Sequence, residues 1–529
     1  MIAFEIDGRA PEARWRRTPA GWAADGHRVE PFRNPALEDF ALEAPGRIVV
    51  AVRERGSGVP SPFPVGRTTA VGPDALDRAL GDLYAWPLCW CVLTIRTDGG
   101  ELVAELANGG WGTAPVFLTA RDGNLRGHWD AARLYPADVA GPAAVRFLAD
   151  FETTYSRRTL LAGVMMATER ARATWTPAAA EPLAVEYPRA LARPRPRTLE
   201  PRSDPARAFF TILRDSVARW AGHGRVGAEL SGGLDSGVVA AAATAVTNEP
   251  LRSYGIRLGT AGQDRRRADL VDCLGLRDAT VDLVAFPPLD PAGPRVAGGQ
   301  AVPWEEVYYE ASDALNRVAA ADGVTTILTG FGGDELCTLA AGERRRSSAS
   351  TAREAPAADG APAFLAPLGR DALAAARSDP DPAPAAGPLA SAVETAALSS
   401  AMYMRRGLWP VHPLCTPELV HFCAQLPREW RAGRRVEREA LAGRGCPDRV
   451  VRAPDEDDFS PALVRGLRVT ARPLVERMFA ESLMAERGWV ERDVLARDFH
   501  RWCRDGDPDA ATTFYSAAVL ELALRAATA

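Results

Sequence analysis

The stretch that most limits how this chain can fold is Val226-Gly227-Ala228-Glu229-Leu230-Ser231-Gly232-Gly233-Leu234-Asp235-Ser236, which runs directly into Gly237-Val238-Val239-Ala240-Ala241-Ala242-Ala243. A short apolar run breaks at two glycines and reopens as a helical run, so strand, tight turn and helix N-terminus follow without a gap. That order builds an anion cradle. Glycines let the backbone approach a phosphate, and the free N–H groups of the first helical turn point at it. Ser231 and Ser236 add hydroxyl donors. Asp235 does not favour an anion by itself, and its expected task is to hold a Mg²⁺ that bridges phosphates. The spacing differs from a Walker loop, and the lysine of that motif is missing. About a hundred residues later the pattern recurs as Thr325-Thr326-Ile327-Leu328-Thr329-Gly330-Phe331-Gly332-Gly333-Asp334-Glu335-Leu336. A plain reverse turn does not account for two such segments.

Composition removes other classes. The 529 residues suffice for two or three domains, and 47% hydrophobic with 25% charged residues is ordinary for a soluble globular protein. A net charge of −5 gives no footing for nonspecific nucleic-acid binding. No apolar run has the length of a membrane span, and Met1–Asp7 lacks the features of a secretory signal, so the expected location is cytoplasmic. The eight cysteines are scattered and lack zinc spacing; free thiols are expected. All 63 Lys-plus-Arg residues are arginine. Cationic help in any reaction must therefore come from arginine, metal or backbone N–H groups.

Along the chain, Ile48–Val52, Cys91–Ile95 and Val116–Thr119 read as strands, with hairpin turns at Asp98-Gly99-Gly100 and Arg121-Asp122-Gly123-Asn124. Thr159–Ala173 has helical character. Together these predict an α+β N-terminal sandwich over residues 1–185. The Pro- and Arg-rich run 174–205 reads as an interdomain linker, with 186–205 lying between the two domains. Ser203-Asp204-Pro205 starts a helix through Trp220. Strands Val226–Leu230, Arg252–Arg257 and Thr325–Thr329 then alternate with helices Gly237–Val246 and Arg265–Leu274, which predicts an α/β domain with a parallel sheet and nucleotide at the strand C-termini. The Ala/Pro/Arg/Ser-rich stretch 341–390 is read as a flexible loop, either a lid or plain disorder.

Ser231–Ser236 matches the pyrophosphate loop of the ATP-pyrophosphatase group, and Leu328–Glu335 resembles the same group's second nucleotide motif. The chain is similar to the asparagine synthetase-like ligases, which include β-lactam synthetase and lasso-peptide cyclases. The resemblance implies ATP and Mg²⁺ as cofactors, an acyl-adenylate intermediate, and release of AMP and pyrophosphate. It assigns Asp235 and Asp334 as Mg²⁺ carboxylates. Leu230, Ser231, Gly232, Gly233, Leu234, Asp235, Ser236, Gly330, Gly332 and Gly333 become nucleotide contacts. Tyr254 is either an adenine contact or a core tyrosine. The N-terminal domain resembles the family's glutaminase domain, but Ile2 stands where glutamine-using members carry a nucleophilic cysteine, so no glutamine use is expected. That domain is then a remnant, or it helps hold a peptide. Arg434–Ala440 resembles a helix of the relatives. Their Arg-Pro-Lys appears here as Arg452-Ala453-Pro454-Asp455; the lysine is absent, and Arg452 is its candidate substitute.

β-Lactam synthetase carries a tyrosine of its Tyr–Glu dyad between the glycines of the second motif; here Phe331 stands there and cannot accept a proton. The loop as a whole looks most like lasso cyclases. These join a peptide N-terminal amine to an Asp or Glu side chain as a macrolactam, with a precursor peptide, a leader-binding protein and a leader peptidase as expected partners. Another amide-forming ligase of natural-product biosynthesis is the alternative, and a non-catalytic nucleotide-binding scaffold a more remote one.

Overall fold

A computed structural model describes residues 1–10, 14–110, 114–135, 138–192, 194–298, 302–339, 343, 361–385, 390–453 and 458–528. Alternation of apolar and polar residues, as in β1 (Ile2–Asp7), drives the N-terminal half into two seven-stranded sheets. The strands are β1, β2 (Arg16–Arg17), β3 (Trp22–Ala24), β4 (His27–Pro31), β5 (Leu37–Ala44), β6 (Arg47–Glu54), β7 (Thr68–Ala70), β8 (Trp90–Asp98), β9 (Glu101–Asn108), β10 (Val116–Arg121), β11 (Asn124–His128), β12 (Met165–Ala167), β13 (Arg172–Trp175) and β14 (Leu183–Glu186). One sheet has the order β12-β10-β11-β1-β4-β3-β2 and the other β14-β13-β9-β8-β6-β5-β7. All pairings are antiparallel except β5 with β7. Ile2, Phe4 and Ile6 of one sheet share a core with Ile48, Val50, Val52 and Leu93 of the other. The opposite face of β6, Val49 and Ala51, is covered by Leu76, Leu80 and Leu83 of α1 (Pro73–Tyr84). Both expected hairpins form. Asp122 and Gly123 take φ of 54° and 76°, and Gly99 and Gly100 take 58° and 87°, the positive values that a two-residue turn between twisted strands requires.

Two sequence readings are corrected here. Thr159–Ala173 is not helical. The hydroxyl of Thr159 donates to the carbonyls of Leu161 and Val164, Gly163 and Arg170 take positive φ, and the segment is consumed by a tight turn, β12 and the start of β13. The linker is also shorter than 174–205, because β13 and β14 pair antiparallel through Arg172↔Glu186.

After α2 (Gly141–Asp150), α3 (Pro205–Ala218) begins at Asp204, whose carboxylate accepts from the N–H of Arg207. A five-stranded parallel sheet follows, built from β15 (Val226–Glu229), β16 (Arg252–Arg257), β17 (Arg277–Asp282), β18 (Thr326–Leu328) and β19 (Trp409–Val411) in the order β17-β16-β15-β18-β19. Helices α4 (Leu234–Thr244), α5 (Ala261–Leu274) and α6 (Tyr309–Ala321) connect its strands. The chain runs outward from β15 to β17 and then returns to the other side of β15 as β18. The topological switch point therefore lies between β15 and β18, where ligands bind in open parallel sheets. β17 and β19 were not read from the sequence. β19 contains Pro410, tolerated because the strand lies at the sheet edge.

The stretch 341–390 is only partly described, and the portion that is described contains α7 (Pro367–Ser378), an ordered helix that packs against α2. Within this stretch 341–342, 344–360 and 386–389 lie outside the described residues, and the lid reading falls on them. Then come α8 (Ala390–Met404), α9 (Pro417–Gln425), α10 (Arg435–Ala442), α11 (Arg492–Asp505) and α12 (Ala511–Thr528). A second core joins Leu148 of α2, Leu373 of α7, Phe499 and Trp502 of α11, and Phe514 and Tyr515 of α12. Among the described residues no helix is long and apolar enough to cross a membrane.

Candidate functional site

The two glycine turns lie at the C-terminal ends of β15 and β18, on either side of the switch point. The first is closed by its own side chains. Ser231 N–H donates to Ser236 Oγ at 3.1 Å, the two hydroxyls lie 3.0 Å apart, and Gly233 N–H donates to Ser231 Oγ at 3.2 Å. Gly232 has φ +95° and Gly233 caps α4. Leu230 and Leu234 are buried anchors, and the Leu230 N–H is tied to the Tyr254 carbonyl at 2.7 Å. The second turn abuts the first. A Cβ on Gly330 would lie 2.8 Å from the Ser236 nitrogen, and one on Gly333 would overlap the Asp235 carboxyl. Gly332 has φ +95°. Glycine at 330 and 333 is thus required by close approach, and at 332 by conformation.

This contact brings Asp235 and Asp334 together on one cation. Nη1 of Arg434 lies 3.0 and 3.1 Å from the two oxygens of Asp235 and 2.7 Å from Asp334 Oδ1. Arg434 and the preceding Gly433 both have positive φ, 55° and 61°, a bend that ends one helical turn and starts α10 with the guanidinium at the acids. One turn on, Glu437 is fully buried. Burial and the neighbouring Asp235 charge push its carboxyl well above the usual range, and it hydrogen-bonds Asp235. Burial also raises Asp235, opposed by Glu437 and Arg434.

The donor set fits Mg²⁺. The ion is commonly held by one or two carboxylates with phosphate oxygens and water completing its shell, so two convergent aspartates suffice without an all-protein cage. Among the described residues no group of three or more His, Cys, Asp or Glu could form such a cage.

Phe331 stacks on His412, with ring centroids 5.3 Å apart and 22° between planes. His412 Nδ1 is 2.7 Å from Thr329 Oγ1, and burial drops its pKa to about 3, so the ring is neutral.

Two expected site residues lie elsewhere. Tyr254 is buried in a core cluster with Ile327 and Tyr403, and its hydroxyl donates to Asp322 at 3.0 Å, which is the core-tyrosine alternative. Arg452 has a side chain 78% exposed and, among the described residues, pairs with the equally exposed Asp448 at 3.6 Å. Pro454 and Asp455 lie outside the described residues. The cation that the acids do meet, Arg434, and its partner Glu437 were not singled out by sequence reasoning. Their i, i+3 spacing directly after Gly433 was the available signal.

A parallel sheet with an anion cradle and paired carboxylates at its switch point defines a nucleotide-binding α/β protein. The chain belongs to the asparagine synthase family, whose family model matches residues 209–385 and 389–526. Membership implies ATP-dependent C–N bond formation with release of AMP and pyrophosphate. Comparison with curated proteins gives no match.

Proposed function

We propose that this ligase closes a macrolactam, joining the N-terminal amine of a linear peptide to an internal Asp or Glu side chain, as in lasso-peptide cyclisation. The observation that carries the reading is the meeting of Asp235 and Asp334 across two abutting glycine turns. The Ser231–Ser236 loop and the α4 N-terminus receive ATP phosphates. The substrate carboxylate attacks the α-phosphorus, pyrophosphate leaves, and the amine displaces AMP. Asp235 and Asp334 would hold Mg²⁺, which neutralises charge on the departing pyrophosphate. Arg434 takes the cationic role left open by the missing lysine. Phe331, packed on a neutral His412, offers no proton acceptor, and this favours a nucleophile such as a peptide α-amine, with an ordinary pKa near 8. Holding amine and adenylate together makes ring closure effectively unimolecular, a gain of about 7–11 kcal/mol.

In this reading residues 1–185 are a degenerate amidotransferase-like domain, 186–205 the linker and 206–529 the synthetase domain, in a cytoplasmic enzyme. The test is mass spectrometry of linear peptides with a free N-terminus and an internal Asp or Glu, incubated with ATP and Mg²⁺. Loss of one water with equimolar AMP is expected. ADP in place of AMP, or equal cyclisation of the N-acetylated peptide, refutes the reading.

A further inference from the structure

We propose that Glu229 is the proton acceptor for the amine that attacks the acyl-adenylate, with Tyr403 as its positioning residue and Glu306 as the charge set against it. The inference rests on the adenylate reading above and adds a catalytic residue to it.

Topology puts these groups at the right edge of the sheet. Glu229 ends β15, two residues before Ser231, so its Cα lies at the strand C-terminus beside the phosphate cradle. Glu306 precedes α6 by three residues. Because α6 leads back to the start of β18, parallel to β15, the beginning of α6 must lie at the C-terminal edge as well. On β15, Gly227 and Glu229 share one face. Tyr254 packs over Gly227 on that face, and the cluster containing Tyr254 also contains Tyr403 of α8. The Tyr403 hydroxyl donates to Glu229 Oε1 at 2.9 Å. Neither acid is sealed off: both residues are partly exposed, whereas Tyr403 is buried. The segment before α6 and helix α8 also border a cavity. Trp304, two residues before Glu306, lines a cavity of about 370 Å³ with Leu160, Val164 and Met165, and α8 contributes Glu394 and Leu398 to it.

Chemistry agrees with position. Burial raises Glu229 to about 7; the Tyr403 hydrogen bond opposes the rise and the Glu306 charge adds to it. Glu306 is raised by its own burial, against hydrogen bonds from the Tyr308 and Val307 N–H groups and the Arg295 charge. From β16, Tyr254 turns its hydroxyl away to Asp322. The register partners in β18 are apolar or Thr326. A base poised near neutrality is what transfer from an ammonium-derived nucleophile needs. In the step itself, the neutral amine forms the C–N bond to the acyl carbon. The C–O bond to AMP breaks, with the electron pair leaving on the AMP phosphate, and one N–H proton passes to the Glu229 carboxylate, which later returns it to water. The class of substrate is a primary amine, whose positive charge before deprotonation is drawn to the two acids.

The experiment separates the half-reactions. The full chain is incubated with ATP, Mg²⁺ and a synthetic linear peptide with a free N-terminus and one internal Glu. Hydroxamate formed with added hydroxylamine reports adenylation, and ring closure reports aminolysis. Glu229→Gln is expected to lower ring closure about a hundredfold or more while hydroxamate still forms. The acid limb of the aminolysis profile should move to higher pH in Tyr403→Phe, which loses the hydrogen bond, and to lower pH in Glu306→Gln, which loses the like charge. In parallel, ¹³C NMR of the chain labelled at glutamate Cδ, assigned by Glu229→Gln, follows the free enzyme without substrate and should show the same opposite shifts. Equal loss of both half-reactions in Glu229→Gln, a Glu229 that titrates as an ordinary carboxylate, or hydroxamate without ring closure in the wild type overturns the assignment. Absence of hydroxamate from the wild type defeats the adenylate reading itself.

Discussion

At the scale of single residues, one arginine decides the site. Arg434 spans Asp235 and Asp334, while Arg452 stands in solvent. Arg434→Ala is expected to lower carboxylate-dependent pyrophosphate release by about 10²–10³-fold, the usual cost of losing one electrostatic stabiliser, whereas Arg452→Ala should stay near wild type. Asp235→Ala or Asp334→Ala should abolish the release without unfolding the chain. The reverse ranking of the two arginines in a pyrophosphate assay counts against this arrangement. His412 gives a second residue-level expectation. Its folded pKa, about 3, lies below the unfolded value of 6.5 because burial penalises the charged ring. A lowered histidine pKa stabilises the fold fully above pH 6.5, and that contribution is lost as pH falls from 6.5 towards 3. Urea unfolding should therefore lose up to about 1.4 kcal/mol per pH unit through this window. His412→Asn should flatten that slope; an unchanged slope means the ring is not the group responsible.

At the scale of elements, the second glycine turn is fitted to the first. A methyl on Gly333 would overlap the Asp235 carboxyl and lie 2.7 Å from the Asp235 Cβ, which is fixed to the α4 backbone, so the two turns would have to move apart. Gly333→Ala should therefore lower the melting temperature and displace the Asp235 carboxylate by about 1 Å, which costs on the order of a hundredfold in rate. Retained activity with a normal melting temperature shows that the turns are not coupled in this way. Of the elements themselves, those with unbroken signals were legible. The apolar run into Ser231, the Asp204-Pro205 start of α3 and the hairpin glycines appear close to where local chemistry put them, and the Arg434–Ala440 helix that the family resemblance implied forms as Arg435–Ala442. Thr159–Ala173 misled because its apolar residues sit at helical spacing while Thr159, Gly163 and Arg170 make turns, a conflict that only pairing with β9 and β10 resolves.

At the scale of the molecule, buried polar groups join the sandwich to the parallel sheet. Glu54 of β6 accepts from the indoles of Trp220 at 3.0 Å and Trp409 at 2.6 Å and from the Cys89 N–H at 2.9 Å. Asn34 donates to the carbonyls of Thr325 and Gly407, at the start of β18 and just before β19. Glu54→Ala removes one acceptor from three buried donors, at a cost of about 3 kcal/mol or more. The expected outcome is a lower urea midpoint in which both halves unfold together; two separated transitions would show that the halves are not welded through this residue.

The sequence alone determined the local chemistry: two glycine turns with one acid each, a helix N-terminus behind the first, and the absence of lysine throughout. Those are properties of neighbouring residues, so they survive any packing. What tertiary structure decided are the meetings of residues far apart in the chain. Arg434 reaches Asp235 across 199 positions, and Tyr403 reaches Glu229 across 174. No periodicity or spacing encodes such pairs. They exist because the parallel sheet crosses over at β15 and β18 and brings both turns, the start of α10 and the face of α8 to one edge, where burial raises the carboxyls of Glu229, Asp235 and Glu437.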